Sequence, residues 1–333
     1  MFNFLMKILV ADPIAEEGLE ILRHYAQVDI KPKLKPEELK AIIGNYDALI
    51  VRSQTQVPAE IIDAGEKLKV IGRAGVGLDN IDVAAATKKG IVVVNAPTAN
   101  TVSAAEHTIA LMLALSRNIP KANSQLKSGR WQRKELVGTE LRNKTLGIIG
   151  LGNVGSEVAK RAQAFEMCVI AHDPFVSTNY ARKLKVDLVP LDQLLDQSDF
   201  ITLHVPLTAT TKGLIGAEEL AKVKPTVRII NCARGGLVDE EAVVKAIEDG
   251  KIAGAAFDVF NTEPVTDSSR FKSDKIVVTP HLGASTIEAQ ANVAKDIAEQ
   301  VLTVLQGKHP RYAVNTPYFG FSSGKKNTHD FIP

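Results

Sequence analysis

The segment Gly150-Leu-Gly-Asn-Val-Gly155 constrains this chain more than any other. It spells G-x-G-x-x-G, follows the apolar run Leu146–Ile149, and runs into Val154, Val158, Ala162 and Phe165 at helical spacing. A further apolar run, Met167–Ala171, leads to the acidic Asp173, ~20 residues beyond the last glycine. Strand, glycine turn, helix, strand and acid in that order predict a β-α-β unit that holds a dinucleotide. Gly150 permits the tight turn, Gly152 lets a pyrophosphate reach the backbone, and Gly155 lets helix and strand pack closely. The helix N-terminus then offers N–H groups and a partial positive charge to the phosphates. Asp173 can accept from both adenosine ribose hydroxyls and would repel a 2′-phosphate, and no Lys or Arg follows it before Arg182. The cofactor expectation is therefore NAD.

The rest of the chain repeats the same alternation. At 333 residues it has room for about two domains. In the first hundred residues Lys7–Ala11, Gln27–Ile30, Ala48–Val51, Val70–Arg73 and Ile91–Asn95 read as strands. Helical patterns over Ile14–His24, Pro36–Ile43, Pro58–Ala64 and Asp82–Lys89 separate them. Val102–Leu126 reads as one long helix with Val102, Ala105, Ile109, Met112, Leu113 and Ser116 on one face. A second strand series follows: Thr145–Ile149, Met167–Ala171, Asp199–Val205, Arg228–Cys232, Gly254–Val259 and Ile276–Thr279. Ser285-Thr-Ile-Glu288 has capping-box spacing and opens a last helix through Val293, Ile297, Val301, Val304 and Leu305 to Gly307. Strands alternating with helices make this an α/β chain of two doubly wound parallel-sheet domains.

Several function classes fall away. Forty Lys+Arg against 38 Asp+Glu leave a net charge of +2, so no basic excess calls for nucleic acid. No apolar run reaches the ~18–20 residues of a membrane helix. The opening Met1–Leu5 lacks a basic region and a cleavage site, so no secretion leader is expected. The 2 cysteines, Cys168 and Cys232, form no C-x-x-C pair, and the 7 histidines show no ligand spacing. A cytoplasmic protein without a metal is expected.

Three segments stand just beyond strand C-termini, where this fold places chemistry: Asn231-Cys-Ala-Arg-Gly-Gly236, Asp258-Val-Phe-Asn-Thr-Glu-Pro264 and Thr279-Pro-His-Leu-Gly-Ala284. Together with Val51-Arg-Ser-Gln-Thr55, Gly72-Arg-Ala-Gly-Val-Gly-Leu-Asp-Asn-Ile-Asp82 and the glycine motif, they make the chain resemble the D-isomer-specific 2-hydroxyacid dehydrogenases from about Lys7 to Pro317. The resemblance implies a catalytic trio of Arg234, Glu263 and His281. The chemistry suits it: imidazole trades a proton readily at neutral pH, a carboxylate orients and stabilises the imidazolium, and a guanidinium binds a carboxylate and polarises a carbonyl oxygen.

The resemblance also implies a fold, a Rossmann NAD-binding domain (101–284) inserted into a flavodoxin-like substrate domain (1–100 and 285–317), with 318–333 an irregular tail. It adds Asn153, Val154, Val205, Cys232 and Ala233 to the cofactor contacts, with Asp258, Gly283, Ala284, Arg234 and His281. In the substrate domain Gly75-Val76-Gly77 can form an anion nest for a carboxylate. Arg52 and Arg73 stand at or near strand ends, where a phosphorylated substrate needs cations, and Ser53 lies beside them. Asn100 joins these implied substrate contacts. Trp131-Gln-Arg-Lys134 resembles a segment that reaches a partner's site in a homodimer or homotetramer, which makes Arg133 a further substrate contact.

The leading expectation is NAD-dependent oxidation of D-3-phosphoglycerate to 3-phosphohydroxypyruvate. The alternatives are reduction of glyoxylate, hydroxypyruvate or another 2-keto acid, and a non-enzymatic NAD-sensing role. Long members of the family carry a regulatory domain that senses serine. Nothing of that size follows Pro317, so no serine inhibition through such a domain is expected.

Overall fold

The computed structural model describes residues 6–315. The expected tail at 318–333 lies outside the described residues. The chain divides into two compact units, one running to Ala99 and resuming at Ile287, the other spanning Asn100–Thr286.

The first unit alternates strand and helix: β1 (Lys7–Val10), α1 (Glu16–Arg23), β2 (Gln27–Ile30), α2 (Pro36–Ile42), β3 (Ala48–Val51), α3 (Ala59–Ala64), β4 (Val70–Arg73), α4 (Val83–Lys88) and β5 (Val92–Asn95). Its sheet has the order β2-β1-β3-β4-β5 and every pair is parallel. This is the flavodoxin-like order, with its switch point between β1 and β3. All four side chains of β3 are buried, because helices cover both faces of a parallel sheet and leave no polar side.

The second unit begins with α5 (Thr101–Ser116) and α6 (Ile119–Lys127). Then come β6 (Thr145–Ile149), α7 (Asn153–Ala164), β7 (Cys168–His172), α8 (Thr178–Lys183), β8 (Asp187–Leu188), α9 (Leu191–Gln197) and β9 (Phe200–Leu203). It closes with α10 (Ala217–Leu220), β10 (Arg228–Asn231), α11 (Glu240–Glu248), β11 (Gly254–Phe257) and β12 (Ile276–Val278). Read from one edge the sheet is β8-β7-β6-β9-β10-β11-β12, all parallel. That is the Rossmann order with an added edge strand, and its switch point lies between β6 and β9. The expected α/β class with two doubly wound parallel sheets is what the chain forms.

The last helix, α12 (Ile287–Leu305), returns to the first unit and packs on α1 and β4. Gly18 and Gly72 allow that approach: a Cβ on Gly18 would meet Ala294 O at 2.5 Å, and one on Gly72 would meet Val301 Cγ2 at 2.7 Å. Ile297 and Val301 are fully buried there, each contributing roughly 1.5–3 kcal/mol of burial.

Three local expectations need correction. Val102–Leu126 is two helices, not one. Asn118 takes a left-handed conformation (φ 53°), and Pro120, which has no N–H to donate, opens a new helix. Val102 is 50% exposed; the buried face of α5 is Ala105, Ile109, Met112 and Ser116 with Ala104, Thr108, Leu111 and Leu115, and Leu113 is partly buried. The short edge strand β8 carries no apolar run, so periodicity misses it. The last helix starts at Ile287, so the residue just before it is Thr286 rather than Ser285.

Candidate active site

The glycine turn sits at the switch point of the second sheet. Gly150 has φ 94°, and a Cβ on it would meet His204 O at 2.6 Å and Val205 Cγ1 at 2.7 Å, both just past β9. Only glycine fits there on both counts. A Cβ on Gly155 would strike Gly150 O at 2.1 Å, so that glycine sets how closely α7 lies on the turn. Gly152 differs, because nothing stands within 4 Å of its would-be Cβ. Open space over the first turn of a 12-residue helix is the cradle a pyrophosphate requires, and the residues present fit NAD. Asn153 opens that helix and Val154 is half-buried behind it.

The turn is tied from below. Leu151 N–H donates to Asp173 Oδ2 at 2.8 Å, and Leu151 C=O accepts from the Ser156 hydroxyl at 3.1 Å. Asp173 Oδ1 accepts from Phe175 N–H at 2.9 Å. The acid after β7 therefore holds the glycine turn while keeping lone pairs for ribose hydroxyls. Beside it, burial pushes the His204 imidazole down to about 3, so this ring stays neutral, with Nε2 3.0 Å from the Thr202 hydroxyl.

The three later segments stand at the C-terminal ends of β10, β11 and β12. After β10, buried Asn231 accepts from Ala233 N–H at 3.1 Å and donates to Arg234 C=O at 2.9 Å, which ties the Cys232–Arg234 turn. The Arg234 guanidinium donates to Ala233 C=O at 2.6 Å. Burial pushes the Cys232 thiol up to about 12, which leaves it an inert packing group.

After β11 and β12 the two loops meet. His281 Nδ1 lies 2.7 Å from Glu263 Oε2, and Glu263 Oε1 accepts from Phe260 N–H at 3.0 Å. An ionised carboxylate only accepts, so the ring proton sits on Nδ1 and the Nε2 lone pair is left for a reacting hydroxyl. His281 itself has φ 55°, a conformation that L side chains seldom take.

Asp258 braces this loop. It is fully buried, and its carboxylate accepts from the Thr279 hydroxyl (2.6 Å), Leu282 N–H (2.7 Å), Gly283 N–H (2.8 Å) and His107 Nε2 (3.1 Å). Its own C=O accepts from His281 N–H at 2.8 Å. Burial pushes the Asp258 carboxyl up, but the bonds from His107, Thr279 and Leu282 outweigh it and hold the group below the usual carboxylate range. Gly283 is buried against Asp258 and Ala284 is half-buried. His107 lies outside the three segments, since a lone His on a helix carries no spacing signal, and the bracing roles of Asn231 and Thr279 within their segments emerge only from the hydrogen bonds.

The remaining expected residues lie as follows. In the first unit Arg52 and Ser53 follow β3, and Arg73 closes β4. The Arg73 guanidinium lies over Gly75, where a Cβ would come within 1.6 Å of Nη1. Gly75 C=O accepts from Ala96 N–H at 2.9 Å, and Val76 C=O accepts from Asn95 Nδ2 at 2.7 Å. Those bonds fix the carbonyls of the Gly75–Gly77 turn. In the second unit Asn100 is the N-cap of α5, and Arg133 begins an exposed 3-10 turn through Leu136. Among the described residues no cluster of three His, Cys, Asp or Glu could hold a metal ion, and no helix is long and apolar enough to cross a membrane.

A family model of the D-isomer specific 2-hydroxyacid dehydrogenase NAD binding domain matches residues 109–283. A D-3-phosphoglycerate dehydrogenase of Synechocystis sp. is 54% identical over 93% of this chain and 56% of its own length. One of Archaeoglobus fulgidus is 53% identical over 94% of this chain and 60% of its own. The chain thus spans a little over half the length of these relatives. Among solved structures, a Thermus thermophilus protein superposes with TM-score 0.87 at 33% identity, covering 93% of this chain and 100% of that one. A glyoxylate reductase from Paecilomyes thermophila gives TM-score 0.85 at 32% identity, covering 93% and 98%. With the family model matched over more than half of the chain, and a solved relative one-third identical covered end to end, this chain belongs to the D-isomer specific 2-hydroxyacid dehydrogenase family.

Proposed function

We propose that this chain oxidises D-3-phosphoglycerate to 3-phosphohydroxypyruvate with NAD, the first step of serine biosynthesis. The observation that carries the reaction class is the hydrogen-bonded His281–Glu263 pair on the unit that holds the glycine turn. NAD, when bound, supplies the acceptor for the hydride that leaves the carbinol carbon. His281 Nε2 takes the hydroxyl proton, which leaves an imidazolium. Glu263 keeps the Nδ1 proton in place and stabilises that charge. Arg234 binds the substrate carboxylate and polarises the oxygen that becomes a carbonyl. These three are the catalytic residues of the reading.

The cofactor contacts are assigned to the Gly150–Gly155 turn, Asp173, Val205, Cys232–Arg234, Asp258, His281, Gly283 and Ala284. The substrate domain is assigned to the first unit, which runs to Ala99 and resumes at Ile287. There the carboxylate is assigned to the amides of Val76 and Gly77, which donate to no acceptor among the described residues. Arg52, Ser53 and Arg73 take the phosphate, Asn100 adds a contact, and a second copy of the chain donates Arg133. Exposed Ile119 and Leu126 on α6, with exposed Trp131 and Val137 on either side of Arg133 in the chain, support a homodimer or homotetramer. Two free cysteines suit a cytoplasmic enzyme.

The substrate choice draws on relatives at 50% identity or more that are named for D-3-phosphoglycerate. A second reading, reduction of glyoxylate or another 2-keto acid, is favoured by the glyoxylate reductase neighbour. Steady-state assays with D-3-phosphoglycerate, D-glycerate and glyoxylate separate the two. The proposal requires the highest kcat/KM on the phosphorylated acid. A preference for glyoxylate selects the second reading, and no turnover of any acid with NAD intact in its site makes the chain an NAD-sensing binder.

A further inference from the structure

We infer that Asp12 and Asn80 are positioning residues that set the substrate specificity of the first unit, by holding the Arg52–Thr55 loop in one shape and at one spacing from the Gly75–Gly77 turn. The inference rests on the reading above, that Arg52 and Ser53 take the phosphate and Val76 and Gly77 the carboxylate.

Both residues are polar and almost fully buried, Asp12 at 2% and Asn80 at 8% exposure. Asp12 follows β1 and the Arg52–Thr55 loop follows β3, so they flank the switch point of the flavodoxin-like sheet. Ligands of such sheets bind outside the strand C-termini at that point. Asp12 Oδ2 accepts from Arg52 N–H at 2.6 Å and from Thr55 N–H at 3.2 Å, while Oδ1 accepts from the Thr55 hydroxyl at 2.8 Å. From the other side Asn80 Nδ2 donates to Arg52 C=O at 2.7 Å and to Thr55 C=O at 2.6 Å. Both main-chain polar groups of Arg52 and of Thr55 are therefore tied to buried side chains. Ser53 and Gln54, between the tied ends, stay exposed.

The residue types matter. Among the described residues no Lys, Arg or His makes an ion pair with Asp12. A buried carboxylate without a counter-cation is unfavourable unless donors satisfy it, and here the loop supplies every donor. An amide at position 12 keeps one oxygen for the two N–H groups, turns its NH2 toward the Thr55 hydroxyl and replaces charge-assisted bonds by neutral ones of roughly half the strength.

Asn80 links the two anion-binding segments. It lies three residues after Gly77, its side chain holds the Arg52–Thr55 loop, and its C=O accepts from Val57 N–H at 2.8 Å. A loop held this way meets its ligand without paying an ordering entropy at that moment. An acid with a second anionic group gains from the fixed spacing. A short acid that uses only the carboxylate turn does not.

The test compares Asp12→Asn, Asn80→Ala and the milder Thr55→Val with wild type and with Arg52→Ala. Asp12→Asn and Asn80→Ala should raise KM for D-3-phosphoglycerate by about tenfold or more and leave kcat within about twofold, with KM for D-glycerate nearly unchanged. Thr55→Val, which removes one bond and keeps the side-chain shape, should move KM in the same direction by about two- to fivefold. NAD affinity, read by fluorescence titration on the other unit, reports folding and should not change. Equal loss on both acids, or a fall in NAD affinity, reduces Asp12 and Asn80 to structural residues and overturns the inference. So does an unchanged KM for the phosphorylated acid in all three variants while Arg52→Ala raises it, an outcome that leaves the substrate reading standing. An unchanged KM in Arg52→Ala overturns the substrate reading and the inference with it.

Discussion

His281 Nδ1 and Glu263 Oε2 stand 2.7 Å apart, one side chain carried on the loop after β12 and the other on the loop after β11. The contact sets the ring tautomer, and loss of either residue should slow turnover, each for its own reason. His281→Ala removes the base and should lower kcat by about 10²–10⁴ with NAD affinity retained. Glu263→Gln keeps the shape but offers Nδ1 an amide that can donate, which favours the wrong tautomer and should cost kcat on the order of 10²–10⁴. Single-turnover rates with fluorescence-measured NAD binding check both. A Glu263→Gln enzyme at wild-type rate would remove Glu263 from the mechanism.

Gly152 and Gly155 separate binding from folding. A Cβ at Gly155 meets Gly150 O at 2.1 Å, whereas one at Gly152 meets nothing within 4 Å. Gly155→Ala should therefore lower Tm, by several degrees for about 1–3 kcal/mol of overpacking. Gly152→Ala should leave Tm in place and weaken NAD by about tenfold or more, since its methyl enters the space a pyrophosphate needs. Thermal melts and NAD titrations on both variants decide. A Gly152→Ala protein that binds NAD normally would place the pyrophosphate elsewhere.

Asp173, the proposed cofactor acid, also braces the glycine turn, because its Oδ2 holds Leu151 N–H at 2.8 Å. Asp173→Ala removes the charge that rejects a 2′-phosphate, yet it also frees the glycine turn. NAD affinity should fall by about tenfold or more without a matching gain for NADP. Titration with both cofactors tests this. A variant that simply trades NAD for NADP would show that the Leu151 bond carries no weight.

Acid should loosen the loop that carries His281. The Asp258 carboxyl is held below its ordinary value, so the folded state binds its proton less readily than the unfolded chain. The stability it contributes is complete above the unfolded value and is lost as pH falls through the folded one. Asp258→Asn should therefore cost about 1–3 kcal/mol at pH 7, and the gap to wild type should begin to narrow as pH falls below about 4. Denaturant unfolding of both proteins from pH 7 to 3 measures it. A gap that does not change with pH would mean that packing, not the ionised bonds, makes Asp258 stabilising.

Local order was legible in the chain wherever one physical cause acts over a few residues. The glycine turn could be read because three glycines and a following acid meet separate steric and charge demands at fixed spacing. The strand series could be read because buried parallel strands must be apolar on both faces. The break at Asn118 was missed because helical periodicity continues on both sides of it, and a left-handed residue leaves no mark in a hydrophobic pattern. The edge strand Asp187–Leu188 leaves no sequence signal because a strand of 2 residues at a sheet edge needs no apolar run.

The sequence by itself determined the two parallel α/β layers, the dinucleotide turn and the residue types at the strand ends, because short-range sterics and periodic burial decide those. Only the tertiary structure decided which buried polar groups brace the loops. Asp12 lies 40 positions from Arg52, and His107 lies 151 from Asp258. Such pairs form because parallel sheets bring distant strand ends side by side and pack helices such as α5 against them, and a buried carboxylate or amide must then find its partners wherever the fold has placed them.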